Sequence, residues 1–203
     1  MVEERILDTL TGCAIAFAAS YFLFPRWESD QLRPQLVAAL RTNQAYLAQL
    51  ADHLTGCSVP ALAYRLRRKD VYVAAANLQA AFQRMLAEPK SKQHHAAQTH
   101  DFVVLNHVLS AQIAALSQAA SATAGPVAVA TLTPEARRAL TSAQAALARA
   151  LQALAPDTAP SEMPPASPVA AATAPPDPAL AEQLAYLQKV TTDLAKVSEV
   201  LAG

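Results

Sequence analysis

No charged residue occurs between Asp8 and Arg26, and the uncharged run Thr9 to Pro25, seventeen residues long, restricts the chain more than any other stretch. As a helix rising about 1.5 Å per residue it measures roughly 25 Å, at the short end of what crosses a hydrocarbon core of about 30 Å. Its second half is the more apolar, with Ile15, Phe17, Tyr21, Phe22, Leu23 and Phe24. Trp27 stands where an interfacial anchor belongs and Pro25 marks the exit. The segment 5–27 therefore reads as a transmembrane helix. Two other readings compete. Gly12, Ala14, Ala16, Ala18, Ala19 and Ser20 keep the first half small, as in a buried helix of a soluble protein. A secretory signal would use a small-residue site near Ala16–Ala18, but Glu3, Glu4, Arg5 and Asp8 are not the basic start such peptides have. Within a membrane, small residues on one helix mean close packing against another.

The rest of the chain reads as helix joined by short breaks. Leu36, Leu40, Leu47, Leu50 and Leu54 recur at helical spacing over about 29–54, with Asn43 as a polar member expected at a partly exposed position; the sharper alternative is a register-setting hydrogen bond in a helical seam. Thr55 to Ser58 and Pro60 break this helix, and Ser58 suits an N-cap. A second soluble helix covers about 60–88 with Leu62, Leu66, Val73, Leu78, Phe82, Met85 and Leu86, and stops before Pro89. A third covers about 97–120 with Phe102, Leu105, Leu109, Ile113 and Leu116, and should pack antiparallel to its predecessor; Asn106 and His107 lie beside that stripe. Thr133 and Pro134 open a thinner helix to about Ala155, striped by Leu140, Leu147, Leu151 and Leu154. Last comes a heptad series, Leu180, Leu184, Leu187, Thr191, Leu194, Ser198 and Leu201, which either folds back on its own chain or pairs between chains.

The fold class expected is all-α: one N-terminal transmembrane helix followed by an antiparallel cytoplasmic helical bundle. Its divisions are the membrane helix 5–27, a bundle 28–121, a connector and amphipathic helix 122–155, a Pro/Ala-rich mobile linker 156–178 and the heptad-patterned helix 179–203. Much of the 53% apolar content is alanine, which favours helix but buries little area, so the core should rest on the scattered larger side chains.

Charge narrows the function. Sixteen basic and sixteen acidic residues cancel, no stacking aromatics or zinc spacing accompany the arginines, and nucleic acid is not an expected partner. Cys13 and Cys57 lie in dissimilar segments and are expected to be free thiols. His94, His95, His100 and His107 have no recognised ligand spacing, so no metal is expected. No nucleophile motif or phosphate loop occurs, so neither catalysis nor a cofactor is expected. Arg65, Arg67, Arg68 and Lys69 form the densest basic patch. With Arg26, Arg33 and Arg41 they follow the span, whereas Arg5 alone precedes it, which sets the N-terminus outside and the bundle in the cytoplasm. That patch is either a solvated face or one that meets anionic lipid.

Several blocks carry a family resemblance. Arg5-Ile-Leu-Asp8-Thr9-Leu-Thr-Gly12-Cys-Ala-Ile-Ala and Phe24-Pro25-Arg26-Trp27 resemble the ends of the last membrane helix in the fusaric-acid-resistance-like (FUSC) family, in its YccS-type inner-membrane branch. Leu62-Ala-Tyr64-Arg65-Leu-Arg67-Arg68-Lys69, Ala76-Asn77-Leu78, Ala81 to Lys90 and Phe102 to His107 are similar to that branch's C-terminal cytoplasmic part. The resemblance covers about residues 5–117. It implies a C-terminal piece of an efflux protein of the kind associated with aromatic acid or drug export, supplying at most the final membrane helix and not expected to transport alone. Met1 would then be an internal or truncated start. Spacing and resemblance together make Arg5 and Asp8 an ion pair at the outer end of the span, and Gly12 a helix contact. Membrane lipids and other transmembrane helices are the expected partners, with a homo-oligomer among the arrangements. The alternative is a helical scaffold or interaction protein, either membrane-anchored or soluble.

Overall fold

The computed structural model describes residues 2–22, 28–55, 60–91, 93–123, 132–156 and 178–203. Among these the chain is all-α: α1 (Val2–Phe22), α2 (Glu28–Leu54), α3 (Ala61–Leu86), α4 (Ala96–Thr123), α5 (Pro134–Leu154) and α6 (Pro178–Ala202), with no strand. Pro25, Trp27, Cys57, Ser58 and most of the Pro/Ala-rich segment lie outside the described residues.

Helices α2 to α6 share one core. α5 packs on α6, α2 meets α3, α4 and α5, and α4 meets α3 and α6, whereas α1 packs on none of them. The second-helix stripe is buried as its spacing demands, from Leu36 through Leu54. Asn43 departs from expectation. It is fully buried, and its Nδ2 donates to Asn106 Oδ1 on α4 at 2.8 Å and to its own helix at Ala39 O at 3.3 Å. The physical reason is register. Phe102, Asn106, Leu109, Ile113 and Leu116 step by four and three, so Asn106 and not Leu105 belongs to the buried seam of α4.

The C-terminal heptad helix folds back on its own chain, against α5 and α4. Its two polar interruptions do not go unpaired. Thr191 Oγ1 donates to Leu187 O at 3.1 Å and Ser198 Oγ to Leu194 O at 2.8 Å, so each buried hydroxyl is satisfied one turn back on its own helix. Facing them, α5 buries Ala136, Ala139, Ala143, Ala146 and Ala150 beside Leu140, Leu147 and Leu154. Alanine thus shapes the core more than its small area suggests, since its lack of bulk lets two helices approach closely. Leu151 stays half-buried.

Helix ends are tied by side chains. Thr133 caps α5 by accepting from Ala136 N at 3.1 Å, followed by Pro134 in the first turn and Glu135 where the helix dipole favours an acid. Arg33 Nε donates to Leu154 O at 2.8 Å, so a cation from α2 closes the negative end of α5. Gln93 Nε2 donates to Leu86 O at 3.1 Å and Glu88 O at 2.7 Å, covering the end of α3. The N-cap of α3 is Pro60 without a side-chain hydrogen bond.

Replacing Asn43 by Ala strands the Asn106 amide in the core and should cost about 2 kcal/mol in chemical denaturation; Asn43→Leu combined with Asn106→Leu should recover most of that loss. Ala146→Leu should overpack the α5–α6 seam by about 1–3 kcal/mol, while Ala145→Leu on the exposed side stays within about 0.5 kcal/mol of the parent.

Candidate functional site

Two surfaces stand out because the core leaves them uncovered. The first is α1. Its described side chains from Arg5 to Ala18 are exposed, among them Ile6, Leu7, Leu10, Ile15 and Phe17. Thr9 Oγ1 donates to Arg5 O at 2.8 Å and Thr11 Oγ1 to Leu7 O at 2.7 Å, so the helix satisfies its own hydroxyls without water. Arg5 and Asp8 are both exposed, and no ion pair joins them among the described residues. A Cβ added at Gly12 meets nothing within 4 Å. Cys13 is an exposed free thiol. Among the described residues no helix packs on this segment, as a buried core helix would require.

Length and apolarity sufficient to cross a membrane occur, among the described residues, in a different place: Ala96–Ala120 of α4. That stretch owes its composition to its position, because Phe102, Leu109, Ile113 and Leu116 are fully buried against neighbouring helices. α1 is diluted by its charged first turns and by Gly12 and the alanines, while Leu23 and Phe24 lie outside the described residues.

The second uncovered surface is the outer side of α3. Val71, Ala74, Leu78, Ala81, Phe82 and Met85 face the core, but Leu62, Leu66, Val73 and Leu86, expected to join them, are exposed along with Tyr72. The reason is geometric: Leu62, Leu66 and Val73 fall on the opposite side of the same helix, and Leu86 is its last residue. Arg65, Arg67 and Lys69 are exposed on this helix with no polar partner among the described residues. Arg68 differs. Its guanidinium lies 5.4 Å from the Tyr72 ring centre and 3.3 Å from that hydroxyl.

Beneath the patch, Tyr46 of α2 is buried and donates to the Tyr64 hydroxyl at 2.9 Å, with ring centres 5.8 Å apart. Burial, and then the bond to Tyr64, raise the Tyr46 pKa above its ordinary 10.0, while Ser117 and Arg68 pull the other way. The Asn43 hydrogen bond matches the sharper of its two sequence readings, but its partner Asn106 and the Tyr46–Tyr64 junction escaped sequence reasoning; the available signal for Asn106 was the four-three spacing that places it between Phe102 and Leu109.

The histidines do not converge. His94, His95, His100 and His107 are exposed; His100 lies 3.7 Å from Asp101 and its ring is 6.1 Å from that of Phe82. Asn106 is buried in the α4 seam, whereas His107 is exposed. Among the described residues no group of three His, Cys, Asp or Glu is placed to hold a metal ion.

The chain is similar to "Inner membrane protein YccS" of Escherichia coli (strain K12), 32% identical over 112 residues, which are 55% of this chain and 16% of that protein. An uncharacterized protein of Haemophilus influenzae is 33% identical over 112 residues, again 55% of this chain and 16% of the relative. An uncharacterized protein of Neisseria gonorrhoeae, ORF2, is 31% identical over 86 residues, 42% of this chain and 21% of the relative. This chain thus spans a small part of the length of these relatives. No family model and no solved structure matches.

A raised Tyr46 pKa has a definite sign. The folded chain resists losing that proton, so the stabilisation is complete below the unfolded value of 10.0 and is lost as pH rises beyond it. Tyr46→Phe should lower stability near neutrality by about 1 kcal/mol and flatten the decline at alkaline pH, read from denaturation midpoints of the two proteins between about pH 8 and pH 11.

Proposed function

We propose that this chain is the C-terminal part of a FUSC-like inner-membrane transporter of the aromatic acid or drug efflux type. In this reading α1 is the last membrane helix, and α2 to α6 form a cytoplasmic bundle, consecutive helices running antiparallel, that assembles or supports the membrane domain without transporting alone or catalysing a reaction. The observation that carries it is the uncovered apolar helix α1 beside a self-contained five-helix core, in a chain similar to an inner membrane protein.

Magnitude favours lipid around α1. Ile6, Leu7, Leu10, Ile15 and Phe17 are each more than half exposed, and at about 1.5–3 kcal/mol per side chain, leaving five of them in water forgoes on the order of 10 kcal/mol. The threonines carry no unmet hydroxyl into the bilayer. Gly12, open on all sides within this chain, suits close approach of another membrane helix, and Arg5 and Asp8 suit pairing near the outer interface with such a neighbour or with each other. The basic residues of α2 and α3, which follow the span, support an orientation with the N-terminus outside and the bundle in the cytoplasm.

Membrane fractions washed with high salt and then alkali should retain the full chain and release a variant lacking residues 1–26; release of both would remove the span and favour a soluble scaffold. Gly12→Leu and Asp8→Ala should disturb assembly in detergent while leaving the denaturation midpoint of the cytoplasmic helices unchanged. Unchanged assembly in both variants would remove their role.

A further inference from the structure

The outer face of α3 is a second apolar surface that no described residue covers. Leu62, Leu66, Val73, Ala76 and Ala80 repeat by heptad steps with Lys69 in the same series, and Leu62 is 67%, Leu66 50% and Val73 50% exposed. Such a seam suits a second helix or a lipid surface, and charge decides between them. Two copies packed in parallel would stack Arg65 and Lys69 on their own counterparts. Packed antiparallel, the same residues would meet the stretch 77–84, which contains Arg84 and no carboxylate. Asp70 is the one acid of α3, against a cluster of four basic residues over positions 65–69. An anionic lipid surface satisfies both halves of the pattern, apolar side chains entering the headgroup boundary and long cationic ones reaching phosphates beside them.

We propose that the outer face of α3 lies on anionic phospholipid as a second membrane contact, with Leu62, Leu66 and Val73 inserted and Arg65 and Lys69 on headgroup phosphates. This rests on the reading of α1 as the membrane anchor, and it fixes how the five-helix core sits. Tyr46, which touches Tyr64 on α3, is eighteen residues beyond Glu28, roughly 27 Å along α2. Were α2 to follow the membrane normal, the basic cluster would stand that far from the lipid. The contact therefore requires α2 and α3 to run in the plane of the membrane.

The test is a spin-label depth measurement on the full chain reconstituted in vesicles, in a background with Cys13→Ser and Cys57→Ser. Labels are placed through Leu66→Cys, Val73→Cys, Ala145→Cys on exposed α5 and Ala16→Cys on α1. In phosphatidylglycerol-containing vesicles, labels at 66 and 73 should be more accessible to oxygen than to a water-soluble nickel chelate. The label at 145 should show the reverse. Arg65→Glu with Lys69→Glu, or vesicles of phosphatidylcholine alone, should return 66 and 73 to water. Water-accessible labels at 66 and 73 in the anionic vesicles would overturn the proposal. So would labels shielded from both reagents and broadened by a nearby second label, which would assign the face to another copy. The label at 16 reports separately: if it is water-accessible the anchor reading fails, whatever the labels on α3 show.

Discussion

The hydrogen bond from Asn43 to Asn106 ties α2 to α4 at one register, because both amides are buried and a slip of either helix would separate them. An unmet buried amide costs more than a met one contributes, so the pair acts chiefly against misaligned alternatives. Two buried hydroxyls of α6 behave differently. Thr191 and Ser198 bond within their own helix and tolerate sliding that the asparagine pair does not, whereas Ser117, which donates to Ile113 O at 2.7 Å, also meets Tyr46 of α2. Arg33 to Leu154, Asn43 to Asn106 and Tyr46 to Tyr64 tie α2 to α5, α4 and α3, while Gln188 to Ser142 ties α6 to α5. α2 thereby aligns three of the other helices.

How much of this was legible in the sequence depended on whether a side chain's type agrees with its place. The leucines of α2, the Thr133 cap and the heptads of α6 could be read because composition and burial coincide there. Asn106 could not, since a search for apolar residues selects Leu105 next to it. α3 defeated the same search in another way. It carries two series at helical spacing, Val71, Ala74, Leu78 and Met85 on one side and Leu62, Leu66 and Val73 on the other, and periodicity alone does not say which faces the core. The alanines of α5 were undervalued because their contribution is proximity, not area.

Hydropathy alone misplaces the membrane question. α4 is apolar enough to span a bilayer yet spends its large side chains on three neighbouring helices. α1 leaves its apolar side chains exposed and, among the described residues, packs on no other helix. What separates a core helix from a membrane candidate here is the availability of partners, and a sequence window contains no information about partners. The same criterion singles out the outer side of α3, whose apolar residues resemble core residues in everything except what lies beside them.

The cations divide along similar lines. Counted in sequence, Arg33, Arg65, Arg67, Arg68 and Lys69 form one basic population C-terminal to α1. In the structure Arg33 closes the end of α5 and Arg68 leans on Tyr72, so both spend charge on internal geometry. Arg65, Arg67 and Lys69 remain open to whatever α3 faces. In the proposed orientation all five count, because translocation responds to charge before folding assigns partners. The proposed lipid contact rests on Arg65 and Lys69, so a substitution at Arg33 and one at Arg65 would change different properties of the protein although the sequence presents them as equivalent.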